Sequence, residues 1–190
     1  MIYENAYRAG VTFAEFIRDA RANRAQWESF ARRAPLIVEA AAPLGRVENC
    51  LRLLVLTDDW CGDAVNTLPV IARMVESARN VELRVVPRDA FPEVRDRHLT
   101  NGSQSIPIVI LLDDQGEALG AWGPRPKILQ ELFNREIRAL PKEARYLEIR
   151  RWYARDRGVS TAKEIGELIR LGVAAKPVSV GRSCAEIHAA

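Results

Sequence analysis

Hydrophobic positions change their spacing near residue 50, and the change marks where strands begin. Residues 51–57 (Leu-Arg-Leu-Leu-Val-Leu-Thr) form a nearly continuous apolar run, as expected for an inner strand covered on both faces. Residues 63–79 have helical character, 81–86 reads as a strand, 91–99 as a short helix, and 106–112 again as an apolar strand. Asp113-Asp114-Gln115-Gly116 predicts a hairpin turn, after which residues 118–122 pair back. An amphipathic helix over 125–140 closes the unit. The order β-α-β-α-β-β-α predicts an α/β fold, a mixed central sheet with helices on both faces.

The flanks are helical. Thr12-Phe13-Ala14-Glu15 fits a capping box, and Phe13, Phe16, Ile17, Ala20, Trp27 and Phe30 recur mostly at three- and four-residue steps. One helix is therefore expected from Thr12 to Arg33, stopped by Pro35. A second, over 36–42, ends near Pro43-Leu44-Gly45. Beyond Pro141 a helix over 142–157 carries Tyr146, Leu147, Ile149, Trp152 and Tyr153. Thr161 to Glu164 forms a second capping box, opening a helix that ends at Leu171-Gly172. Residues 173–190 predict no element. The chain thus divides into an N-terminal helical extension (1–46), a central domain (47–140) and a C-terminal helical extension (141–190).

Composition narrows the function classes. With 48% hydrophobic residues in 190, the chain can bury one core, which excludes disorder as its main state. A net charge of +3 falls short of a nucleic-acid footprint, so a nucleic-acid partner is not expected. The cluster Arg150, Arg151, Arg155 and Arg157 reads first as a solvated helix face, with an anionic partner as the alternative. No apolar stretch approaches the roughly 20 residues that span a bilayer, and no secretory signal opens the chain, so no membrane partner is expected. Three cysteines and two histidines are too few for a disulfide scaffold or a metal framework. Cys184 and His188 stand four apart without a partner pair, so no metal is expected. Read as free thiols, the cysteines point to the reducing cytoplasm.

The segment carrying chemistry is Thr57-Asp58-Asp59-Trp60-Cys61-Gly62-Asp63-Ala64, with Pro69 beyond it. Cys61 falls between the carboxyl end of a strand and the start of a helix, where open α/β sheets place their sites. The helix dipole there favours a thiolate by ~0.3–1 kcal/mol, up to ~2. Asp58, Asp59 and Asp63 oppose it: a carboxylate ~5 Å away repels a thiolate by roughly 3 kcal/mol at an effective dielectric near 20. Strong activation of Cys61 is therefore not expected. Cys50 begins the strand that Cys61 follows, roughly 20 Å away, which excludes it as a disulfide partner of Cys61. Cys184, in the unpatterned tail, is the one other thiol that could approach. Trp60 and Trp122 either pack at strand ends or wall a groove beside Cys61.

Trp60-Cys61-Gly62 after a strand, Pro69 eight residues past Cys61, Ile106-Pro107 opening a strand, Gly116 at the turn and Gly123 after the last strand resemble the thioredoxin superfamily over 47–140. The whole pattern is similar to a bacterial branch of thioredoxin-like proteins with helical extensions. The resemblance implies a thioredoxin-like fold, with Pro107 cis, packed on the reactive cysteine and touching substrate backbone. It implies Cys61 as the catalytic residue, with Trp60, Gly62, Asp63, Ile106 and Pro107 as the substrate-binding set, and neither cofactor nor metal. Implied partners are proteins or low-molecular-weight thiols. One departure matters: Ala64 stands where the family's Cys-x-x-Cys motif has its resolving cysteine. Dithiol turnover is therefore not expected. Two functions stay open: single-cysteine exchange through a mixed disulfide resolved by an external thiol, or a redox-inactive binding module for a protein or peptide, its helical extensions serving as an interaction surface.

Overall fold

The apolar run at 51–57 forms strand β1 (Leu51–Leu56), all of it buried. In the computed structural model, which describes residues 2–175 and 181–188, β1 lies inside a four-stranded sheet. It pairs in parallel with β2 (Val81–Val86) and antiparallel with β3 (Ile108–Leu112). That strand in turn pairs antiparallel with β4 (Ala118–Trp122), giving the order β2-β1-β3-β4. The turn between them is as expected: Asp113 Oδ1 accepts from the N–H groups of Gln115 and Glu117, and Gly116 takes a left-handed φ of 82°.

Before β1 come α1 (Ile2–Ala9), α2 (Phe13–Asp19), α3 (Arg24–Arg33) and α4 (Val38–Ala41), the last continued by a 3-10 turn (Ala42–Arg46). Within the sheet unit lie α5 (Gly62–Val75), α6 (Pro92–Arg95) and α7 (Lys127–Arg135), the last followed by a 3-10 turn (Ile137–Ala139). Beyond it run α8 (Lys142–Asp156), α9 (Val159–Ala174) and α10 (Cys184–His188). Strand side chains alternate between faces. Leu51, Leu53 and Val55 join the core beneath α3, α5 and α9, whereas Leu54 and Leu56 pack with Ala6 and Tyr7 of α1 and Val94 of α6. Both faces being covered is why the run is nearly continuously apolar. Truncating a fully buried leucine such as Leu53 costs about 2–5 kcal/mol.

Where the elements differ from expectation, a tertiary partner is the cause. The capping box at Thr12 forms, with Thr12 Oγ1 accepting from Glu15 N at 3.2 Å. The helix it opens ends at Asp19 instead of running to Arg33. The Asp59 carboxylate accepts the N–H groups of Arg21 and Ala22 at 2.7 and 2.9 Å, donors that a continuous helix would have kept for itself. Helix α1, for which the pattern offers no signal, is held by Arg52 of β1. This buried arginine pairs with Glu4 at 2.9 Å, stacks over the Tyr7 ring and donates to the Asp113 carbonyl. The strand expected from 106 begins at Ile108, since Pro107 has no N–H for the ladder. The second expected capping box is absent: Thr161 lies inside α9, and Glu164 instead accepts from Trp122 Nε1 and Lys127 N. The same helix runs through Gly172, where a larger residue would meet Leu111.

The cysteine reading changes most. Cys50 and Cys184 form a disulfide, with Cα atoms 4.6 Å apart and a sequence separation of 134. Cys184 therefore pairs at the start of β1, not with Cys61, and α10 is anchored there with Arg182 O accepting from Cys50 N at 2.8 Å. Unpaired cysteines were the ground for expecting a reducing compartment, and two of the three are paired. No helix among the described residues is long and apolar enough to cross a membrane. Non-reducing peptide mapping will recover Cys50 and Cys184 in one linked fragment. Replacing both with Ala will lower stability by about 2–5 kcal/mol, as expected for a cross-link closing so long a loop; unlinked cysteines in oxidised protein would contradict the pairing.

Candidate functional site

Chain geometry at the end of β1 sets Cys61 as the N-cap of α5, with φ −74° and ψ 110°. Its Sγ accepts from Ala64 N at 3.5 Å and donates to the Ile106 carbonyl at 3.3 Å, across the approach to β3. The preceding loop is fixed from the N-terminal helices. Besides the bonds of the Asp59 carboxylate, the Asp59 carbonyl accepts from Trp27 Nε1 at 2.9 Å and from Asn23 Nδ2 at 3.2 Å. The Ile106–Pro107 bond is cis. Close against Pro107 stands Gly123, at φ 128°, where a Cβ would run into the Pro107 carbonyl oxygen.

Burial dominates the electrostatics. Cys61 is 5% exposed, and its thiol is pushed up to about 11, first by loss of solvation, with the Asp63 charge adding and the Ala64 N–H opposing. The expected carboxylate repulsion is thus present but secondary to burial, and it comes from Asp63, while Asp59 turns Oδ2 to the N–H groups of Arg21 and Ala22. Asp63 does not turn back to the helix N–H groups. Its Oδ2 meets Arg125 Nη2 at 2.6 Å, and its Oδ1 accepts from Arg125 Nε at 3.0 Å and from the Tyr153 hydroxyl at 2.9 Å. Burial raises the Asp63 carboxyl while Arg125 and Tyr153 pull it down. Arg125 also stacks over the Phe133 ring at 4.4 Å.

A groove of about 1240 Å³ opens beside Cys61. Trp60, Cys61, Gly62, Asp63 and Ile106 all line it, while Pro107 is buried and does not. Trp60 is 54% exposed and carries the Arg88 guanidinium over its ring at 5.5 Å. Trp122 belongs to the core instead. Residues beyond the sequence-derived set complete the site: Arg88 after β2, Arg125 before α7, and Tyr153, Arg150 and Arg157 from α8 and its end. Tyr153 left one signal, its place in an aromatic-rich helix; the arginines left none that separated them from solvated charge. Among the described residues, the potential metal donors that converge are Cys50, Glu82 and Cys184, and the two sulfurs are already bonded to each other. The side chain of His188 lies outside the described residues.

Two outcomes follow. At pH 8 the native Cys61 thiol will react with iodoacetamide roughly 100-fold more slowly than the denatured chain, matching a shift from 9.0 to about 11. Because the folded thiol holds its proton longer, its contribution to stability is complete below about pH 9 and lost as pH rises through about 11. Equal native and denatured alkylation rates would refute the burial account. Arg125→Leu, which strands a buried carboxylate, will cost about 3–5 kcal/mol at pH 7. That deficit will shrink in acid as Asp63 takes up a proton; a pH-independent deficit would place the loss in packing alone.

Comparison with known proteins supplies the fold family. The thioredoxin family model Thioredoxin_9 matches residues 10–144. A crystal structure of a protein of unknown function from Pseudomonas aeruginosa is similar over 93% of this chain and 99% of its own, with 21% identity and a TM-score of 0.70. An HIV epitope-scaffold crystal structure is similar over 93% of this chain and 100% of its own, with 21% identity and a TM-score of 0.67. No curated protein matches significantly. The mixed four-stranded sheet with helical extensions is a thioredoxin-like fold, and the chain belongs to the thioredoxin family that this model describes.

Proposed function

We propose that this protein is a thioredoxin-fold binding module, with the groove beside Cys61 as a recognition site for a protein or peptide. One observation carries the reading: the Cys61 thiol is buried and spends its proton on the Ile106 carbonyl, while a wide groove opens next to it. A nucleophilic cysteine needs thiolate and access, and this environment favours neither. Ala64, fully buried three residues on, offers no second thiol. Trp60, Gly62, Asp63 and Ile106 then act as wall and floor, and Cys61 as a small apolar filler.

Single-cysteine exchange is the second reading, favoured by Cys61 lining the groove and by the Ala64 N–H aimed at its sulfur. In that chemistry the Cys61 thiolate attacks a partner disulfide and expels one partner sulfur as thiolate. An external thiol then displaces Cys61 from the mixed disulfide.

The test uses decapeptides selected from a random display library on the immobilised protein, assayed against two variants. Gly62→Trp enters the groove from a position where a Cβ meets nothing within 4 Å, and an unchanged melting temperature checks that the fold is kept. Binding kept by Cys61→Ser and lost by Gly62→Trp is the expected result. Binding that requires Cys61 and is reversed by dithiothreitol, or catalysis of insulin reduction, would overturn the binding-module reading.

A further inference from the structure

Charge is distributed unevenly between the groove and the rest of the molecule. Five guanidinium groups line it, those of Arg33, Arg88, Arg125, Arg150 and Arg157, against the single carboxylate of Asp63. The lining thus carries a formal +4 (five minus one), more than the +3 of the entire chain. Arg125 is spent on Asp63, and Arg88 pairs with Asp89 at 2.8 Å. Among the described residues Arg33 donates to the hydroxyl and carbonyl of Ser29 and lies over the Phe30 ring, and neither it nor Arg150 nor Arg157 has a carboxylate partner there. Elsewhere on the surface some arginines, such as Arg18, Arg95, Arg151 and Arg170, are paired with neighbouring carboxylates. Others, such as Arg32, Arg79 and Arg155, have none among the described residues, and what sets the groove apart is that three of this latter kind share one concavity. Unneutralised cations collected in one concavity focus a positive potential there.

We infer that the groove takes an acidic peptide segment, an extended stretch bearing several carboxylates and an apolar side chain that stacks on Trp60. The inference rests on the binding-module reading and names its ligand class. The spacing of the cations suits a chain, and the size of the groove favours one over a small anion. Arg150 and Arg157 are seven residues apart along α8 and its cap, about 10 Å at 1.5 Å per residue. Three residues of extended peptide span the same distance, so successive carboxylates of one chain can pair with both arginines. Arg33 comes from the end of α3 on a separate wall, so the cations frame a path instead of converging on a point. The volume, about 1240 Å³, exceeds the roughly 300–1,000 Å³ usual for small-molecule pockets. A nucleic-acid strand is the weaker fit, because three unpaired arginines fall short of the roughly 6–10 phosphate contacts that typical footprints make. Guanidinium–carboxylate bonds are charge-assisted and forked, so Arg supplies direction as well as charge.

Fluorescence anisotropy tests this with three fluorescein-labelled decapeptides sharing one central Phe and carrying Glu, Gln or Lys at the other positions, beside a ten-nucleotide thymidine strand. The Glu peptide is expected to bind at least 10-fold more tightly than the Gln peptide and to weaken as salt rises. The Lys peptide is expected not to bind. The double variant Arg150→Gln, Arg157→Gln, two exposed positions, is expected to keep its melting temperature and lose about 10-fold or more for the Glu peptide alone. Equal binding of the Glu and Gln peptides would overturn the acidic-ligand inference and leave the binding module standing. Tighter binding of the thymidine strand, or an unaffected double variant, would overturn it too. No binding by any of the three peptides would overturn the acidic-ligand inference, while the library-selected peptides decide the binding-module reading separately.

Discussion

A carboxylate buried at a helix start has to be neutralised where it stands, and much of this molecule is arranged around Asp63. Two nitrogens of Arg125 and the hydroxyl of Tyr153 converge on its oxygens. The cost of taking two charges out of water is offset only when the remaining hydrogen-bonding positions are also filled. Here they are filled from two distant places in the chain, the loop before α7 and the last turn of α8. The small apolar cluster of Leu129, Ile137, Ile149 and Tyr153 forms behind the ion pair. Helix α8 is thereby held beside the end of β1, with Arg150 and Arg157 at the rim of the groove. The groove exists because the carboxylate recruits its own far wall.

The near wall is set from the opposite terminus. Asp59 accepts from two backbone N–H groups between α2 and α3, and its carbonyl takes the indole of Trp27. The loop that delivers Trp60 and Cys61 is thus clamped by the N-terminal helices, and Trp60 is left standing in solvent with Arg88 over it. Cys61 is enclosed by the same packing. The position that makes a cysteine reactive in the wider superfamily here holds a thiol with little exposure and a hydrogen-bond acceptor for its proton. Motif and environment point in different directions, since burial keeps the thiol protonated to higher pH.

The two cysteine systems lie at opposite ends of β1. Cys50 precedes the strand and is tied to Cys184, while Cys61 follows it and stays unpaired. Strand length alone separates them, as the sequence foresaw for Cys50 and Cys61. The pairing of Cys50 with Cys184, across 134 residues, leaves no trace in spacing, because the closing segment has no periodic pattern.

The sequence by itself determined the sheet, its order of elements, the hairpin and the placement of Cys61 between strand and helix. Each of these rests on local chemistry: apolar runs, period, caps and turn residues act over a few neighbours and can be read in order. It also determined that Ala64 removes a resolving thiol. Only the tertiary structure decided the break after Asp19, the existence of α1, the partner of Cys184 and the buried state of the Cys61 thiol. It alone decided which arginines of an arginine-rich chain are neutralised and which face the groove. Those outcomes depend on groups 32 to 134 residues apart meeting in space, such as Trp27 with Asp59 or Cys50 with Cys184, and on burial, which no local pattern encodes.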